Sequence, residues 1–541
     1  MILMLRQPVG RKKTRQRVVK STTVPAPVAG WDAKNPLASM PPLAAVQLKN
    51  WFPQPGWVEV RRGYKVHASS VGSEVETLAT WHGPSGSAMF AAAGGSIWSV
   101  TANSAATEAY AATATNDRWQ WCQHTTSAGS FLFLVNGVDA PIHYNGSAWA
   151  VPTITGITAA DAVGVISHKK RLWFVLADST KGAYLGTEAI AGAASEFQFG
   201  SLFTRGGYLM ALATWTRDGG AGADDYLVAI SSRGQVALYQ GTDPSSASTW
   251  ALVGVFDVPP PIGRRCFARY GADLLLMTLE GVFPLSQLLS VDQSQASRVA
   301  ITDNIAPEFN RAARSYGSLF GWEVCSYAKG TRLVVNVPTV ELSAAKQYVM
   351  NTITGGWCEF DSHNANCWVV YNDTLYFGGD GVVYQADTGS ADIDAPITAT
   401  GQAAYNALGA ANTKRFSMIR PLVTVSATNR PSVGISTDFV ETQAMSSISP
   451  ATGASAAAWD TAIWDSSEWS GTDQEVNDWA NTVGLGTFGS VKFQAQTGIS
   501  AGGGAWGIGL WGDMLWGSRG RSDETMRIQG FVLLYEPGEY I

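Results

Sequence analysis

Three carboxylates lie close to two tryptophans in one stretch of the chain. Asp460, Asp465 and Glu468 are interspersed with Trp464 and Trp469. A glycosidase needs two carboxylates about 5 to 10 Å apart, and aromatic side chains beside them can bind the sugar rings. Acids this close together in a Gly/Ser-rich segment are more often found in solvated turns. The stretch therefore allows propeller glycosidase chemistry as an alternative but does not establish it.

Metal and nucleophile chemistry have less support in the sequence. Cys358, His363 and Cys367 lie near one another, but no second pair of ligands in a CxxC arrangement accompanies them. There is no GxSxG, HExxH or P-loop motif, and no histidine has a serine or cysteine partner in a recognisable constellation. We therefore predict a protein that is not an enzyme, has no metal or cofactor, and keeps its five cysteines as buried free thiols.

The tryptophans allow two interpretations. They pack in the core and between subunits, or they stack on a carbohydrate. A second tryptophan-rich stretch recurs every five residues between glycines, at Trp506, Trp511 and Trp516, and its role stays open. Tryptophans that we assign to partner contacts are Trp31, Trp51, Trp464 and Trp469.

Charge is concentrated at the start of the chain. Residues 1–20 carry seven of the 37 basic side chains and no acid, so the other 30 face 43 acidic ones, a net charge of −13. This basic arm binds an acidic protein surface or nucleic acid, or is a solvated flexible end. No apolar region of a secretion signal follows it, and no apolar run reaches the roughly 18 residues that span a bilayer. Basic residues assigned to partner binding are Arg6, Arg11, Lys12, Lys13, Arg15, Arg17 and Lys20.

A repeated β-hairpin must position these residues. Its clearest copy, Thr374 to Thr388, has two β-branched and aromatic runs around a Gly/Asp turn. Weaker copies upstream contain aromatic residues that recur at intervals of 46, 40, 55 and 44 residues, and a longer interval has room for one more unit, Trp322 to Phe360. Repeats of about 40–50 residues are typical of β-propeller blades. We predict an all-β fold with a six- or seven-bladed β-propeller; the alternative is a sandwich or barrel with many hairpins. The aromatic markers are Trp98, Tyr144, Tyr184, Tyr239, Phe283 and Tyr384.

Other segments interrupt or flank these repeats. Ile301 to Arg314 has the apolar spacing of an amphipathic helix packed on or between blades, with Thr302 or Asp303 as its cap. Val58 to Tyr64 alternates like a strand that enters the propeller. Val24 to Pro27 is typical of a stiff linker. At 541 residues the chain is long enough for two or more domains, and its composition changes after residue 391, where we predict a separate β-rich domain.

Several segments together resemble the tail nozzle proteins of short-tailed bacteriophages, also called tail tubular protein B or packaged-DNA stabilisation proteins. They are Gly30 to Tyr64 (GWDAKNPLASMPPLAAVQLKNWFPQPGWVEVRRGY), Arg415 to Pro421 (RFSMIRP), Val433 to Phe439 (VGISTDF), the spaced Trp-Asp pairs and Leu534 to Gly538 (LYEPG). The resemblance covers both ends of the chain and, in outline, the blades between them. Its motifs are structural, and it supplies no catalytic residues.

The resemblance implies a virion protein that is made in the bacterial host cytoplasm and placed in the tail. Six copies would form a ring that retains packaged DNA, conducts it without sequence-specific binding, and contacts the tail adaptor ring and tail fibres or spikes. The alternative is a carbohydrate-binding propeller adhesin of the tail. The expected domains are a basic arm and linker (1–30), an extended segment joining a platform (31–66), the propeller with its helical insertion near 301–314 (67–390), and a Trp-rich C-terminal platform domain (391–541). In this arrangement N- and C-terminal segments build the platform together.

Overall fold

The computed structural model describes residues 18–218, 223–290, 299–409, 412–425, 431–441, 444–448, 474–476, 478–497 and 525–538. Almost all regular structure in these ranges is β-strand, as predicted. The strands form a β-propeller and a β-rich platform. Within the described ranges, no helix is long and apolar enough to cross a membrane.

The first four blades are four-stranded antiparallel sheets that follow one another along the chain. Their second strands are apolar on both faces because they lie between neighbouring blades. Blade 1 contains Thr77–Gly83, Gly86–Ala93, Ser96–Ser99 and Thr107–Tyr110, and blade 2 contains Gln120–Thr126, Gly129–Val135, Ile142–Tyr144 and Trp149–Ala150. Blade 3 contains Ala162–His168, Arg171–Leu176, Lys181–Tyr184 and Ser195–Gln198, and blade 4 contains Leu209–Asp218, Ala223–Ser231, Gln235–Gly241 and Trp250–Asp257.

The remaining three blades differ more from one another. Blade 5 has three strands, Phe267–Tyr270, Asp273–Thr278 and Gly281–Pro284. Blade 6 consists of Glu323–Tyr327, Arg332–Val340, Ala344–Asn351 and Trp357–Phe360, and blade 7 consists of Cys367–Tyr371, Thr374–Gly378, Val383–Ala386 and Tyr64–Ala68. Short elements outside the blades are Ile154–Thr155, Gly192–Ala193, Ala391–Asp392, the 3-10 turns Ala159–Asp161 and Asp303–Ile305, and the helical turn Leu285–Leu288.

The ring closes between blades 7 and 1. Tyr64–Ala68 pairs antiparallel with Val383–Ala386, so a strand from the N-terminal side completes the last blade. The first strands of blades 7 and 1 lie side by side, and Leu78 and Val369 share one buried cluster there. The hairpins identified in the sequence are the second and third strands of blades 1–5 and 7, and Trp322 to Phe360 contains blade 6. The propeller therefore has seven blades, the higher of the two predicted numbers.

The predicted helix is present as Ala306–Tyr316 and lies between blades 5 and 6. Phe309 on its buried face packs among apolar residues of both blades. The predicted cap is wrong, because neither Thr302 nor Asp303 makes a side-chain capping hydrogen bond. The Thr302 hydroxyl instead accepts a backbone N–H of blade 5 at 3.1 Å. Pro307 in the first turn needs no capping acceptor because it has no N–H.

One platform sheet joins strands from the two ends of the chain. Its long central strands, Lys414–Val425 and Met526–Pro537, pair antiparallel along most of their length. Other strands of this sheet are Lys20–Pro25, Trp51–Gln54, Trp57–Val60, Gln474–Val476 and Ala480–Gly486. N- and C-terminal segments therefore build the platform together.

The second platform sheet is continuous with blade 6, because Gly30 pairs in parallel with Trp357. It contains Gly30–Trp31, Ala44–Lys49, Ala395–Ala403, Gly489–Thr497, Ser432–Thr437 and Ser446–Ser447. Aromatic residues fill the core between the two platform sheets: the Phe493 ring lies 5.3 Å from the ring of Trp51 and 5.3 Å from that of Phe531.

The chain passes from platform to propeller differently from the prediction. The sequence predicts one strand over Val58 to Tyr64, whereas Trp57–Val60 belongs to the platform and Tyr64–Ala68 to blade 7. The strand is interrupted between them, where the Arg61 side chain forms a buried ion pair. The expected linker after the basic arm begins inside Lys20–Pro25, a strand that pairs with the C-terminal strand.

Candidate functional site

Three of the residues assigned to partner contacts lie within the described chain. Lys20 begins the first platform strand, opposite Tyr535, and is exposed. Trp31 is half-buried, and its ring lies 5.8 Å from that of Tyr348 in blade 6. Trp51 is 0% exposed in the platform core. Trp51 therefore packs inside the platform and has no surface for a partner to contact, whereas Lys20 and Trp31 are accessible.

The other assigned residues lie outside the described ranges. They are the basic residues Arg6, Arg11, Lys12, Lys13, Arg15 and Arg17 and the tryptophans Trp464 and Trp469. The carboxylates considered for a glycosidase, Asp460, Asp465 and Glu468, and the second tryptophan-rich stretch, Trp506, Trp511 and Trp516, also lie outside them.

A buried ion pair joins the platform to the propeller. Two Arg61 guanidinium nitrogens donate to the two carboxylate oxygens of Asp392 at 2.8 and 2.6 Å. The side chains are only 1% and 6% exposed. Arg61 Nε also donates to Asn50 Oδ1 at 2.9 Å, and Nη2 donates to the Asp361 carbonyl oxygen at 2.9 Å. Each side of this guanidinium has an acceptor, which is what a buried charge requires.

A second arginine connects blades at one end of the propeller axis. Arg265 lies two residues before the first strand of blade 5, and its Nη2 donates to Thr77 Oγ1 at 2.9 Å and to the Trp119 carbonyl oxygen at 3.2 Å. Its Nη1 lies 3.5 Å from Glu323 Oε2. Thr77, Trp119 and Glu323 stand at the beginnings of the first strands of blades 1, 2 and 6, which lie side by side around the axis. One guanidinium therefore holds blades from opposite parts of the ring.

The axial carboxylates are paired with arginines. Arg118 Nε donates to Glu76 at 2.8 Å, and its Nη2 donates to Glu341 at 2.6 Å. Burial raises the pKa of Glu323 above its ordinary value, although Arg265 opposes this shift. A general acid or base must reach a substrate proton. These carboxylates instead accept hydrogen bonds or form ion pairs with arginines from neighbouring blades. The axial cluster (Glu76, Arg118, Arg265, Glu323 and Glu341) is therefore suited to holding the propeller blades together.

Two buried histidines connect blades in the same way. His124 Nδ1 lies 2.8 Å from Ser167 Oγ, across blades 2 and 3. His168 Nδ1 lies 3.2 Å from Thr214 Oγ1, across blades 3 and 4. Burial lowers the pKa of His124 and lowers the pKa of His168 to about 4. Both imidazoles are therefore neutral at neutral pH and act as structural hydrogen-bonding groups.

The cysteines are free thiols, as predicted, and three of the five are buried while Cys122 and Cys325 are partly buried. Cys358 lies in the cluster that joins blades 6 and 7 to the platform, whereas Cys367 lies between blades 7 and 1. Burial raises the pKa of both thiols. Among the described residues, no group of three His, Cys, Asp or Glu side chains is placed to hold a metal ion, and this includes the neighbourhood of His363.

A groove lies between the outer strands of blades 1 and 2. The rings of Tyr110 and Trp149 stack with centroids 6.2 Å apart and planes inclined by 25°. Tyr144 lies 5.2 Å from Trp149, and Phe90 supports both rings from below at 4.9 and 5.0 Å. The groove has a volume of about 430 Å³. Other residues that line this aromatic groove are Ala88, Ser99, Ala109, Ser147 and Ala148.

Sequence reasoning identified only part of this groove. Tyr144 marks the blade repeat, but its spacing gives no indication that Tyr110 and Trp149 meet beside it. The three rings come together only because the fourth strands of two successive blades, Thr107–Tyr110 and Trp149–Ala150, approach each other at the outside of the ring.

Comparison with known proteins finds matches among solved structures. No family model matches the chain, and no curated protein matches it. Solved structures similar to it include YCF48 bound to D1 peptide, with TM-score 0.36, 9% identity, and coverage of 64% of this chain and 99% of that one. A putative 6-phosphogluconolactonase from Bacteroides fragilis has TM-score 0.33 and 10% identity, with 63% and 91% covered. The computationally designed Ika8 protein has TM-score 0.33 and 10% identity, with 60% and 99% covered.

At these identities and TM-scores, the assignment of the fold depends on the strand pairings of the chain itself. Those pairings define an all-β protein with a seven-bladed propeller and a platform made from both ends of the chain.

Proposed function

We propose that the protein is a structural subunit of the tail nozzle of a short-tailed bacteriophage. In this proposal six copies form a ring in the virion tail, which retains packaged DNA and then conducts it into the cell. The observation that carries the proposal is the construction of one platform from both chain ends, joined to a propeller by a continuous sheet. This is the arrangement that the resemblance to tail nozzle proteins implies.

The segments that carry the resemblance support the proposal by their position. Arg415 to Pro421 and Leu534 to Gly538 are far apart in sequence, yet their strands pair directly, with Arg415 opposite Glu536. Gly30 to Tyr64 contributes strands to both platform sheets. These motifs therefore belong to one structural unit, which is where a ring-forming family would keep its most characteristic residues.

Charge supports a conduit for DNA. Residues 21–541 carry 30 basic and 43 acidic side chains. A channel wall of the same sign as the phosphates repels DNA and avoids the strong counterion-release binding of a basic wall. We propose that DNA passes without sequence-specific contacts, while the basic arm binds an acidic surface of a neighbouring subunit. The tail adaptor ring and fibres or spikes are the other proposed partners.

Ring formation provides the first test. The purified full-length protein should form six-fold rings in negative-stain images and a hexamer by native mass spectrometry. A stable monomer at high concentration would contradict the proposal. A map of the ring could instead show a channel wall made mainly of Lys and Arg. The proposed ring would then still stand, but the proposal that its channel wall repels DNA would be refuted.

The role of the basic arm can be separated from folding of the platform. Lys20 lies inside a platform strand, so a deletion that tests the arm should end at residue 17. We expect deletion of residues 1–17 to weaken ring assembly, and replacement of its six basic residues by glutamine to have the same effect. A matched control with exposed lysines Lys170 and Lys181 changed to glutamine should assemble normally. Normal rings from both arm variants would refute the proposed binding of the basic arm to a neighbouring subunit.

A further inference from the structure

The aromatic groove between blades 1 and 2 has the chemistry of a small binding site. Its volume of about 430 Å³ lies within the range of about 300–1,000 Å³ that is usual for ligand pockets. Tyr110, Tyr144 and Trp149 are only partly buried, so their rings remain accessible from solvent. Phe90 is 4% exposed and fixes the two inner rings from behind. The aromatic surface of the groove is therefore already formed without a ligand.

Polar groups accompany these rings without adding charge. The hydroxyls of Tyr110 and Tyr144 have no protein hydrogen-bond partner in the part of the chain that the structure describes. Ser99 and Ser147 add two further hydroxyls, of which Ser147 Oγ bonds to Asn145 Oδ1 at 2.9 Å. The lining includes no Asp, Glu, Lys, Arg or His. The groove thus offers flat rings and neutral hydrogen-bonding groups on the same surface.

This combination discriminates between classes of ligand. A nucleic acid or another anion needs cationic groups for its phosphates or carboxylates, and the lining has none. An acyl chain or apolar peptide would leave the hydroxyls without partners, which is costly once water is excluded. A pyranose ring has one face of polarised C–H groups, which the negative face of an aromatic ring attracts, and hydroxyls at its edge.

We propose that the aromatic groove binds a neutral saccharide, with a pyranose ring stacked on the outer ring, Tyr110, and with its hydroxyls hydrogen-bonded to those of Tyr144 and Ser147. This goes beyond the nozzle proposal and does not depend on it. A structural subunit with such a site on the outside of its propeller would contact the neutral surface glycan of a cell or a glycan-bearing tail component.

The test uses the full-length protein on an array of neutral and acidic glycans, followed by calorimetric titration of the best neutral glycan. Tyr110→Ala removes the outer stacking ring, Tyr110→Phe removes only the hydroxyl, and Ser147→Trp fills the groove from an exposed turn. Trp479→Ala is the control, because Trp479 is a comparably accessible tryptophan, 36% exposed, on the platform. We expect Tyr110→Ala to weaken binding by about tenfold or more, Tyr110→Phe to weaken it less, and Ser147→Trp to abolish it.

Each outcome decides the proposal. The proposal is supported if the protein binds a neutral glycan and this binding is weakened by Tyr110→Ala but not by Trp479→Ala. Absence of any neutral glycan ligand, preference for acidic glycans, or binding that survives both Tyr110→Ala and Ser147→Trp overturns it. Thermal unfolding of each variant shows whether a loss reflects misfolding, and Ser147→Trp decides the case if Tyr110→Ala is unstable. Six-fold rings in negative stain are a separate measurement, so failure of the saccharide proposal can be distinguished from failure of the nozzle proposal.

Discussion

The Arg61–Asp392 pair allows a quantitative test of how the platform is attached to the propeller. Asp392→Asn keeps the shape of the side chain but removes the negative charge that two guanidinium nitrogens contact at 2.8 and 2.6 Å. Arg61 would keep its bonds to Asn50 and the Asp361 carbonyl, yet its charge, 1% exposed, would lose its ion-pair partner. Breaking a buried pair by removing one partner costs about 3–5 kcal/mol.

The assay is guanidinium unfolding followed by tryptophan fluorescence. We expect the unfolding transition of the platform to move to a lower guanidinium concentration, with a loss of unfolding free energy in this range. Asp303→Asn is the matched control, because the Lys34–Asp303 pair at 2.7 Å is 49% and 33% exposed and should contribute less than about 1 kcal/mol. If Asp392→Asn costs no more than Asp303→Asn, the reasoning is refuted. The double change Arg61→Met with Asp392→Leu should recover much of the loss, since no buried charge then remains unpaired.

Three further predictions concern the propeller. Burial lowers the pKa of His168 from 6.5 to about 4, so between these pH values only the unfolded state takes up this proton. The contribution of neutral His168 to stability is therefore fully present above pH 6.5, and the free energy of unfolding should fall by about 3 kcal/mol towards pH 4. His168→Gln should flatten this dependence when unfolding is measured at different pH values. Gly63→Ala would place a Cβ 1.8 Å from the Ala391 carbonyl oxygen, so we expect it to lower the free energy of unfolding by about 1–3 kcal/mol in thermal or denaturant unfolding. Gly186→Ala is the control and should be neutral, because the nearest neighbour of its Cβ is 3.8 Å away. Equal effects of the two changes would contradict the close approach at Gly63. Phe309→Ala should cost about 3–5 kcal/mol by opening a cavity between blades 5 and 6, and a calorimetric change below 1 kcal/mol would show that the helix is not packed there.

The blade repeat could be predicted because its signal is local. Each unit has an apolar strand, a Gly-containing turn and a second strand ending on an aromatic residue, and turn and strand propensities act within a few residues. Tyr384 marks the third strand of blade 7 in this way, and Trp98 does so in blade 1. The strand that closes the propeller was predicted less well, because the sequence indicated one strand over Val58 to Tyr64, whereas the closing strand is Tyr64–Ala68.

The candidate sites could not be predicted in the same way. Arg265 and Thr77 are 188 residues apart, and no property of either residue indicates that their side chains meet at the axis. The aromatic groove depends on the approach of two fourth strands, so its rings look like ordinary strand aromatics in the sequence. Trp51 was assigned to partner contacts from residue type alone, whereas its burial follows from a platform core that only the folded chain defines.

The junction explains why platform and propeller should move together. Only residues 61–63 separate the platform strand Trp57–Val60 from the closing strand Tyr64–Ala68. Arg61 is bound to Asp392, which pairs with Tyr64 at the outer edge of blade 7, and the backbone of Gly63 approaches Ala391 too closely to admit a side chain. The second connection, through Trp357–Phe360 and the platform sheet, lies on blade 6. A hinge would have to break a buried ion pair and a continuous sheet at once, so in the proposed ring we expect conformational change to occur between subunits rather than within one.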